Sequence, residues 1–381
     1  MQASADLASA VAWGGFALAF VFGAIGHKAN FCTMGAVSDM VNMGDWSRMR
    51  MWLLSIAVAI LGANALHILG YVDLSKSVYQ NPNFTWFAYI FGGLIFGIGM
   101  TLASGCGSKT LIRLGGGDLR SLVVFAFLAI SAYMTLKGLF GIWRTAYFEP
   151  VAINFLARGI SGQDLPTLFS RLTGIGKQSM QIAVAGIAAA AILGFVFKDR
   201  GFRANRDYLV AGIVVGLVIV GGWYVTGHIG YAENPETLEM TFFGTNTHAA
   251  ESLTFVAPLG YSIELLMLWS DSSLHATFGI AAVAGVIAGS FAYAVFSKKF
   301  RIEGFRDVRD TSNHIIGAVL MGFGGVTALG CTIGQGITGF STLALGSILT
   351  FLAIVTGAAL TMKYQYRKML RAPSFAKTKQ N

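Results

Sequence analysis

Charge is scarce in this sequence: only 12% of its 381 residues are Asp, Glu, Lys or Arg, against 55% apolar residues. Soluble domains carry about twice that share of charge, so a string of soluble domains is excluded, and no segment resembles one. Several motifs are absent. There is no CxxC pair, which removes the thiol exchange of a disulfide oxidoreductase and the spacing of a zinc site. No GxxxxGK[ST] loop occurs, so the chain has no ATP-binding motif of its own. None of the six histidines forms a pair at i, i+4, and neither a metal nor a cofactor is expected. The first ten residues, MQASADLASA, hold no basic residue, which argues that the first apolar run is a retained span rather than a signal peptide.

What is present is a succession of apolar runs long enough to cross a hydrocarbon core of about 30 Å, and a mean hydropathy of +0.63. Nine spans are expected, at 11–26, 51–70, 86–103, 121–142, 178–197, 208–226, 276–296, 312–329 and 341–362, so the chain reads as an all-α polytopic membrane protein with re-entrant short helices and a single transmembrane domain over 1–381. The net charge of +9 does not point to nucleic acid. Its basic residues cluster in short segments such as KDRGFRANRD after 197 and KKFRIEGFRDVRD after 297, while the loop at 227–250 carries Glu233, Glu236 and Glu239 and no Lys or Arg. With the N-terminus outside and the C-terminus in the cytoplasm, 21 of the 27 Lys and Arg fall inside, as the positive-inside rule requires. Glu251 to Ser270 would reverse that order if it crossed once; it reads as re-entrant, with a turn expected at Pro258 and Gly260.

A shift of 225 residues superposes Gly92, Gly97, Gly99, Gly105 and Cys106 on Gly317, Gly322, Gly324, Gly330 and Cys331. The shift carries the second and third spans onto the seventh and eighth, and their partners run oppositely through the membrane. The expectation is an inverted-topology repeat, with halves at about 11–142 and 208–362 linked by a helix at 178–197. Such repeats characterise transporters, whose sites lie at mid-membrane where broken helices meet. The third cysteine, in GHKANFCTMGA, falls on Ala257, so the second half keeps that break and lacks its thiol.

Cys32, Cys106 and Cys331 each lie at or near glycine where an apolar helix gives way, with Gly105, Gly107 and Gly330 alongside. A helix restarting after such a break aims free N–H groups and a positive dipole end at the gap, favouring an anion. A thiol adds a weak, polarisable donor, which suits a soft, sulfur-containing anion. A single cysteine in a membrane helix is usually a small buried hydrophobe, and glycines often serve packing alone; three thiols in breaks, two in matching frames, weigh against that bland reading. A soft-metal pathway through thiolates stays open, although methionine pairs at short spacing are few. Lys109 and Arg113 follow Cys106 at helical spacing and read as cytoplasmic anchors, with Lys109 the better candidate for drawing an anion to the inner mouth. His27, close to Cys32, is a weaker candidate. Lys137, inside the fourth span, is expected to snorkel or face the interior, and Glu251 and Glu264 to serve structure or gating.

The motifs NFCTMGAVSDM (30–40), SGCGSKTLIRLGGGDLRSL (104–122) and GFGGVTALGCTIGQGITGFSTLALGS (322–347) resemble the YeeE/YedE family of bacterial inner-membrane proteins. The resemblance implies a helical fold with short re-entrant helices in which Cys32, Cys106 and Cys331 line a central path that passes thiosulfate by S–H hydrogen bonds. With no ATP-binding motif, movement is expected to be passive, ion-coupled, or pulled by consumption inside, as by a small cytoplasmic sulfur carrier protein. Lys109 departs from the small or neutral residue of thiosulfate-type members, which leaves open a selenium or other sulfur species as cargo. A membrane sulfurtransferase working through a cysteine persulfide is the enzymatic alternative.

Overall fold

The computed structural model describes residues 2–235, 237–271, 274–304 and 308–371. Glu236, Arg306, Lys377 and Lys379, which contribute to the charge argument, lie outside the described residues. Fifteen α-helices follow in order: α1 (Gln2–Lys28), α2 (Thr33–Ser38), α3 (Ser47–Ile68), α4 (Trp86–Leu102), α5 (Gly107–Gly115), α6 (Leu119–Lys137), α7 (Leu139–Trp143), α8 (Leu165–Thr173), α9 (Lys177–Phe197), α10 (Arg200–Ala204), α11 (Arg206–Tyr224), α12 (Val256–Met267), α13 (Phe278–Phe296), α14 (Val308–Thr327) and α15 (Leu345–Arg371). Among the described residues, sheet is confined to two short antiparallel pairs, Asn83–Phe84 with Ile153–Asn154 and Tyr231–Glu233 with Met240–Phe242.

Eight stretches among the described residues are long and apolar enough to cross a membrane. They are α1 with its continuation to Met43, α3, α4 with α5, α6, α9, α11, α13 and α15. The chain is therefore an all-α, multi-pass membrane protein. The eighth expected span, 312–329, falls on α14, whose 20 residues make a rod of about 30 Å but whose first turns include Arg309, Asp310 and His314. α1 is longer than expected, and the fourth expected span stops at Lys137, where Gly138 interrupts it before α7.

Helices pack in matched pairs: α1 against α13 and α3 against α11, then α4 against α15 and α6 against α14. At the centre α4 crosses α14 backbone to backbone. A Cβ added at Gly99 would lie 2.7 Å from the Gly317 carbonyl, and one at Gly92 would lie 2.8 Å from that of Gly324. Only glycine permits that approach, and the two helices run antiparallel through it. Lys28 pairs with Asp207 at 2.9 Å and Arg50 with Asp199, which ties the end of α1 and the start of α3 to the α9–α11 turn on one face.

The segment after residue 250 departs from expectation in one respect. Pro258 and Gly260 do not turn the chain; the break lies in the extended stretch 251–255, and both residues sit inside α12. Pro258 occupies the first turn, where its missing N–H would have had no helical partner anyway. Gly260 serves contact, since a Cβ there would meet Leu136 Cδ1 at 3.0 Å and Tyr133 N at 3.1 Å on α6. Lys137 and Glu264 form an ion pair that ties the ends of α6 and α12 together, Lys137 half-exposed and Glu264 buried.

Candidate functional site

Each cysteine follows the same backbone turn. α1, α4 and α14 end in a left-handed residue, Asn30 (φ 53°), Ser104 (φ 56°) and Leu329 (φ 58°), placed two residues before Cys32, Cys106 and Cys331. The residue after it donates its N–H back five positions: Phe31 to Gly26 O at 2.9 Å, Gly105 to Met100 O at 2.9 Å, and Gly330 to Gly325 O at 2.7 Å. These are three Schellman closures, and each delivers a thiol to the start of the next helical segment. Glycine is not what makes the turn left-handed, because an asparagine, a serine and a leucine hold that position. Leucine there is costly, of order 1–2 kcal/mol, and its side chain is itself exposed. Gly105 and Gly330 occupy the following position, where a Cβ would press on Lys109 Cγ (3.3 Å) and Gln335 Cγ (3.1 Å) respectively. Gly107 opens α5 with ordinary clearance, 3.9 Å to Leu128 Cδ1, so close packing does not account for it.

All three thiols are free and buried. Cys32 and Cys106 are interacting neighbours, and the Thr332 hydroxyl, next in sequence to Cys331, lies against the Cys106 thiol. Two of the sulfurs cap the helical segments they begin: Gly35 N–H donates to Cys32 Sγ at 3.3 Å and Gly334 N–H to Cys331 Sγ at 3.4 Å. Cys106 Sγ is 3.3 Å from Ser108 Oγ, and Cys331 Sγ is 4.0 Å from Thr254 Oγ1. Hydroxyls and helix N-termini thus surround polarisable sulfur in a site closed to bulk water.

Toward the face that holds the Lys28–Asp207 pair, the site borders a cavity of about 360 Å³ lined by His27, Asn30, Lys109, Arg113, Lys299 and Arg301, with Arg120, Asp118 and Glu303 at its edge. Arg120 is neutralised by Asp118 at 3.0 Å and Glu303 at 2.7 Å. The remaining cations have no carboxylate partner within ion-pair distance among the described residues. Lys109, buried, donates to Asn30 Oδ1, and Arg113 donates to Ser104 O at 2.8 Å. Two of these acceptors belong to the turn residues before Cys32 and Cys106, so the cations are fixed to the breaks themselves. His27 Nδ1 lies 2.9 Å from Ser290 Oγ. The opposite side of Cys331 faces Thr254 and Tyr79, with Glu251 three residues upstream of Thr254; a Cβ at Gly334 would come within 3.4 Å of the Tyr79 hydroxyl.

The structure brings Cys32, Cys106, Gly105, Lys109 and His27 to one region, with Cys331 and Gly330 adjoining it; Lys137 and Glu264 lie apart. Reading the sequence missed Ser108, Thr254, Thr332, Tyr79 and Asn30. A Cys-Thr dipeptide at both 32–33 and 331–332 was the available signal for Thr332; Tyr79 and Thr254 come from distant loops and carry none.

The family described as sulphur transport matches residues 28–360 of the chain, a stretch that contains all three thiols, the left-handed residue before each, and every lining residue of the cationic cavity except His27. The chain belongs to the sulphur transport family. Its similarity extends to full-length relatives. It is 24% identical over 369 residues to the thiosulfate transporter TsuA of Escherichia coli strain K12, covering 93% of this chain and 96% of that one. It is 26% identical over 351 residues to the thiosulfate transporter TsuA of Spirochaeta thermophila, with 91% and 96% covered. The resemblance to the YeeE/YedE family is thereby borne out, and the chain is placed among sulfur-compound transporters.

Proposed function

We propose that the chain carries thiosulfate, or a closely related sulfur-containing anion, inward across the bacterial cytoplasmic membrane along the line Cys331, Cys106, Cys32. The observation that carries this reading is the threefold recurrence of one helix-ending turn, which sets three buried thiols at three helix starts beside a cavity whose Lys109, Arg113, Lys299 and Arg301 have no carboxylate partner among the described residues. Each thiol donates a weak S–H hydrogen bond to the anion's sulfur, while helix N–H groups and the Ser108 and Thr332 hydroxyls replace water at its oxygens. Each S–H bond is weak enough for the anion to step on, and Lys109 and Arg113, fixed to the turns before Cys32 and Cys106, draw it into the inner cavity. Release there would supply a small cytoplasmic sulfur carrier protein. The N-terminus lies outside and the C-terminus inside, which puts the cationic cavity on the cytoplasmic face.

The same reading takes residues 11–142 and 208–362 as inverted repeats linked by α9. Two features support it. The packing pairs exchange when each helix is replaced by its partner: α4–α15 becomes α14–α6 at a shift of 225, and α1–α13 becomes α11–α3, with α1 matched to α11 only loosely because of the insertion at 227–250. At the central crossing Gly92 meets Gly324 while Gly99 meets Gly317, and the shift turns either contact into the other. A transporter built this way can alternate its access about a fixed central site.

Growth tests the proposal. Bacteria without other thiosulfate and sulfate importers are given thiosulfate as sole sulfur source. The wild-type chain restores growth, and Cys106→Ala and Cys331→Ala abolish it; growth that survives both substitutions refutes the thiol path, and no growth with the wild type refutes the substrate. Mass spectrometry of the thiols after exposure separates transport from persulfide chemistry, since lasting addition of sulfur to a cysteine would mark a sulfurtransferase.

A further inference from the structure

The path described above has cations at its inner end and, at its other end, a carboxylate with no counter-ion. Glu251 is 7% exposed, and no Lys, Arg or His among the described residues lies within ion-pair distance of it. Its side chain accepts one hydrogen bond, from Thr247 Oγ1 at 2.9 Å. Its backbone is locked: Glu251 N–H donates to Thr226 Oγ1 at 3.1 Å, Ala250 N–H to Lys76 O at 3.3 Å, Ser252 Oγ to Ile219 O at 2.7 Å, and Thr338 Oγ1 to Leu253 O at 2.7 Å. The carboxyl therefore cannot swing out to water while the extended stretch 251–255 stays in place. The same stretch ends at Thr254, against Cys331.

The titratable groups that face Glu251 come from two elements. Tyr79, in the loop after α3, is within electrostatic reach of both Glu251 and Cys331, and Tyr261 on α12 is within reach of Glu251. The neighbouring cations are turned elsewhere: Lys76 Nζ donates to Tyr231 OH, and His228 Nδ1 lies 3.1 Å from Tyr71 O. A carboxylate buried without a cation is strongly disfavoured as an anion, and here it also stands beside the route of a dianion. Both conditions are relieved by one proton.

We propose that Glu251 is a proton-binding site that links uptake to the outer proton concentration: protonated, it admits the anion to Cys331, and ionised, it repels it. The inference rests on the transport reading and adds to it what favours entry. Proton binding needs no further reactant. Burial raises the Glu251 carboxyl from 4.5 to about 7, which puts the change within the range where bacteria live. Thiosulfate remains a dianion throughout that range, so the pH dependence belongs to the protein.

The test uses full-length protein in proteoliposomes of fixed inner pH, with labelled thiosulfate outside at pH 6 and pH 8. Initial uptake by the wild type falls about tenfold between the two, and Glu251→Gln, neutral and of the same shape, is active and flat with pH. Wild-type uptake that does not change, or a Gln variant that keeps the full dependence, overturns the linkage. Infrared titration of the purified protein reads the site without transport: a protonated-carboxyl band that disappears on raising the pH through about neutrality and is missing in Glu251→Gln supports the proton site, and its absence from the wild type at pH 6 overturns it. Wild-type protein that takes up no thiosulfate at either pH while showing that band would refute the substrate reading, and with it the gating of thiosulfate entry, but keep the proton site.

Discussion

The crossing of α4 and α14 makes a quantitative demand on two glycines. Gly99→Ala places a methyl carbon 2.7 Å from the Gly317 carbonyl oxygen and 2.9 Å from Met321 N; Gly317→Ala places one 2.6 Å from the Gly99 carbonyl and 2.7 Å from Ala103 N. All four neighbours are backbone atoms, three in regular helix and Ala103 N at the hydrogen-bonded C-cap of α4, so no side chain can rotate away and the helices must move apart by several tenths of an ångström. Overpacking of this kind costs about 1–3 kcal/mol, and the two substitutions should cost alike if the halves are related as proposed. At roughly 2–4 °C per kcal/mol, each lowers the melting temperature of the detergent-solubilised protein by several degrees. Because α4 leads into Cys106 and α14 into Cys331, each also impairs uptake. Gly186→Ala on α9, where nothing lies within 4 Å of the added carbon, is the control; it should leave uptake intact and raise stability by about 0.5–1 kcal/mol. Gly99→Ala and Gly317→Ala that melt with the wild type, or that differ widely from each other, would refute the reasoning.

Three other perturbations bear on the charges. Lys109→Met removes a buried cation from the inner cavity and should cut uptake several-fold at low salt, with the deficit unchanged by salt if Lys109 acts only as structure and shrinking with salt if it attracts the anion. Lys137→Met strands the buried Glu264 carboxylate and should destabilise the protein by about 1–3 kcal/mol, whereas Lys137→Met combined with Glu264→Gln should recover much of the loss in thermal melts. Glu251 makes stability depend on pH: its folded value lies above its unfolded one, so its contribution is fully present below about 4.5 and is lost as pH rises through about 7. The gap corresponds to about 3 kcal/mol, so Glu251→Gln should flatten the decline in melting temperature between pH 5 and pH 8, and parallel curves would contradict the burial argument.

How much of this was readable in the chain follows from the kind of signal each feature leaves. Spans announce themselves by composition, and the expected positions of α3, α4, α9 and α11 fall within a few residues of the helices found. The thiols were legible because cysteine is rare here and glycine-rich breaks flank it. The turn before each thiol was not, since Asn30, Ser104 and Leu329 share no chemistry and only the folded backbone reveals their common conformation. Pro258 misled for a local reason: proline opens a helix as readily as it ends one, and sequence alone did not place the start of α12. Lys137 and Glu264 each stood out as costly charges in apolar surroundings, but 127 positions separate them and nothing local pairs them. Tyr79, Thr254 and the cationic cavity are assembled from distant segments, as is the isolation of Glu251, which is a property of what fails to reach it.

The most direct measurement is uptake of radiolabelled thiosulfate by proteoliposomes holding the purified chain, compared with Cys106→Ala at equal reconstitution and equal melting temperature. The account predicts saturable uptake by the wild type, competed by related sulfur anions, and loss of at least nine-tenths of it, about 1.4 kcal/mol or more in the barrier, when the central thiol is removed. Uptake by Cys106→Ala at the wild-type rate would contradict it.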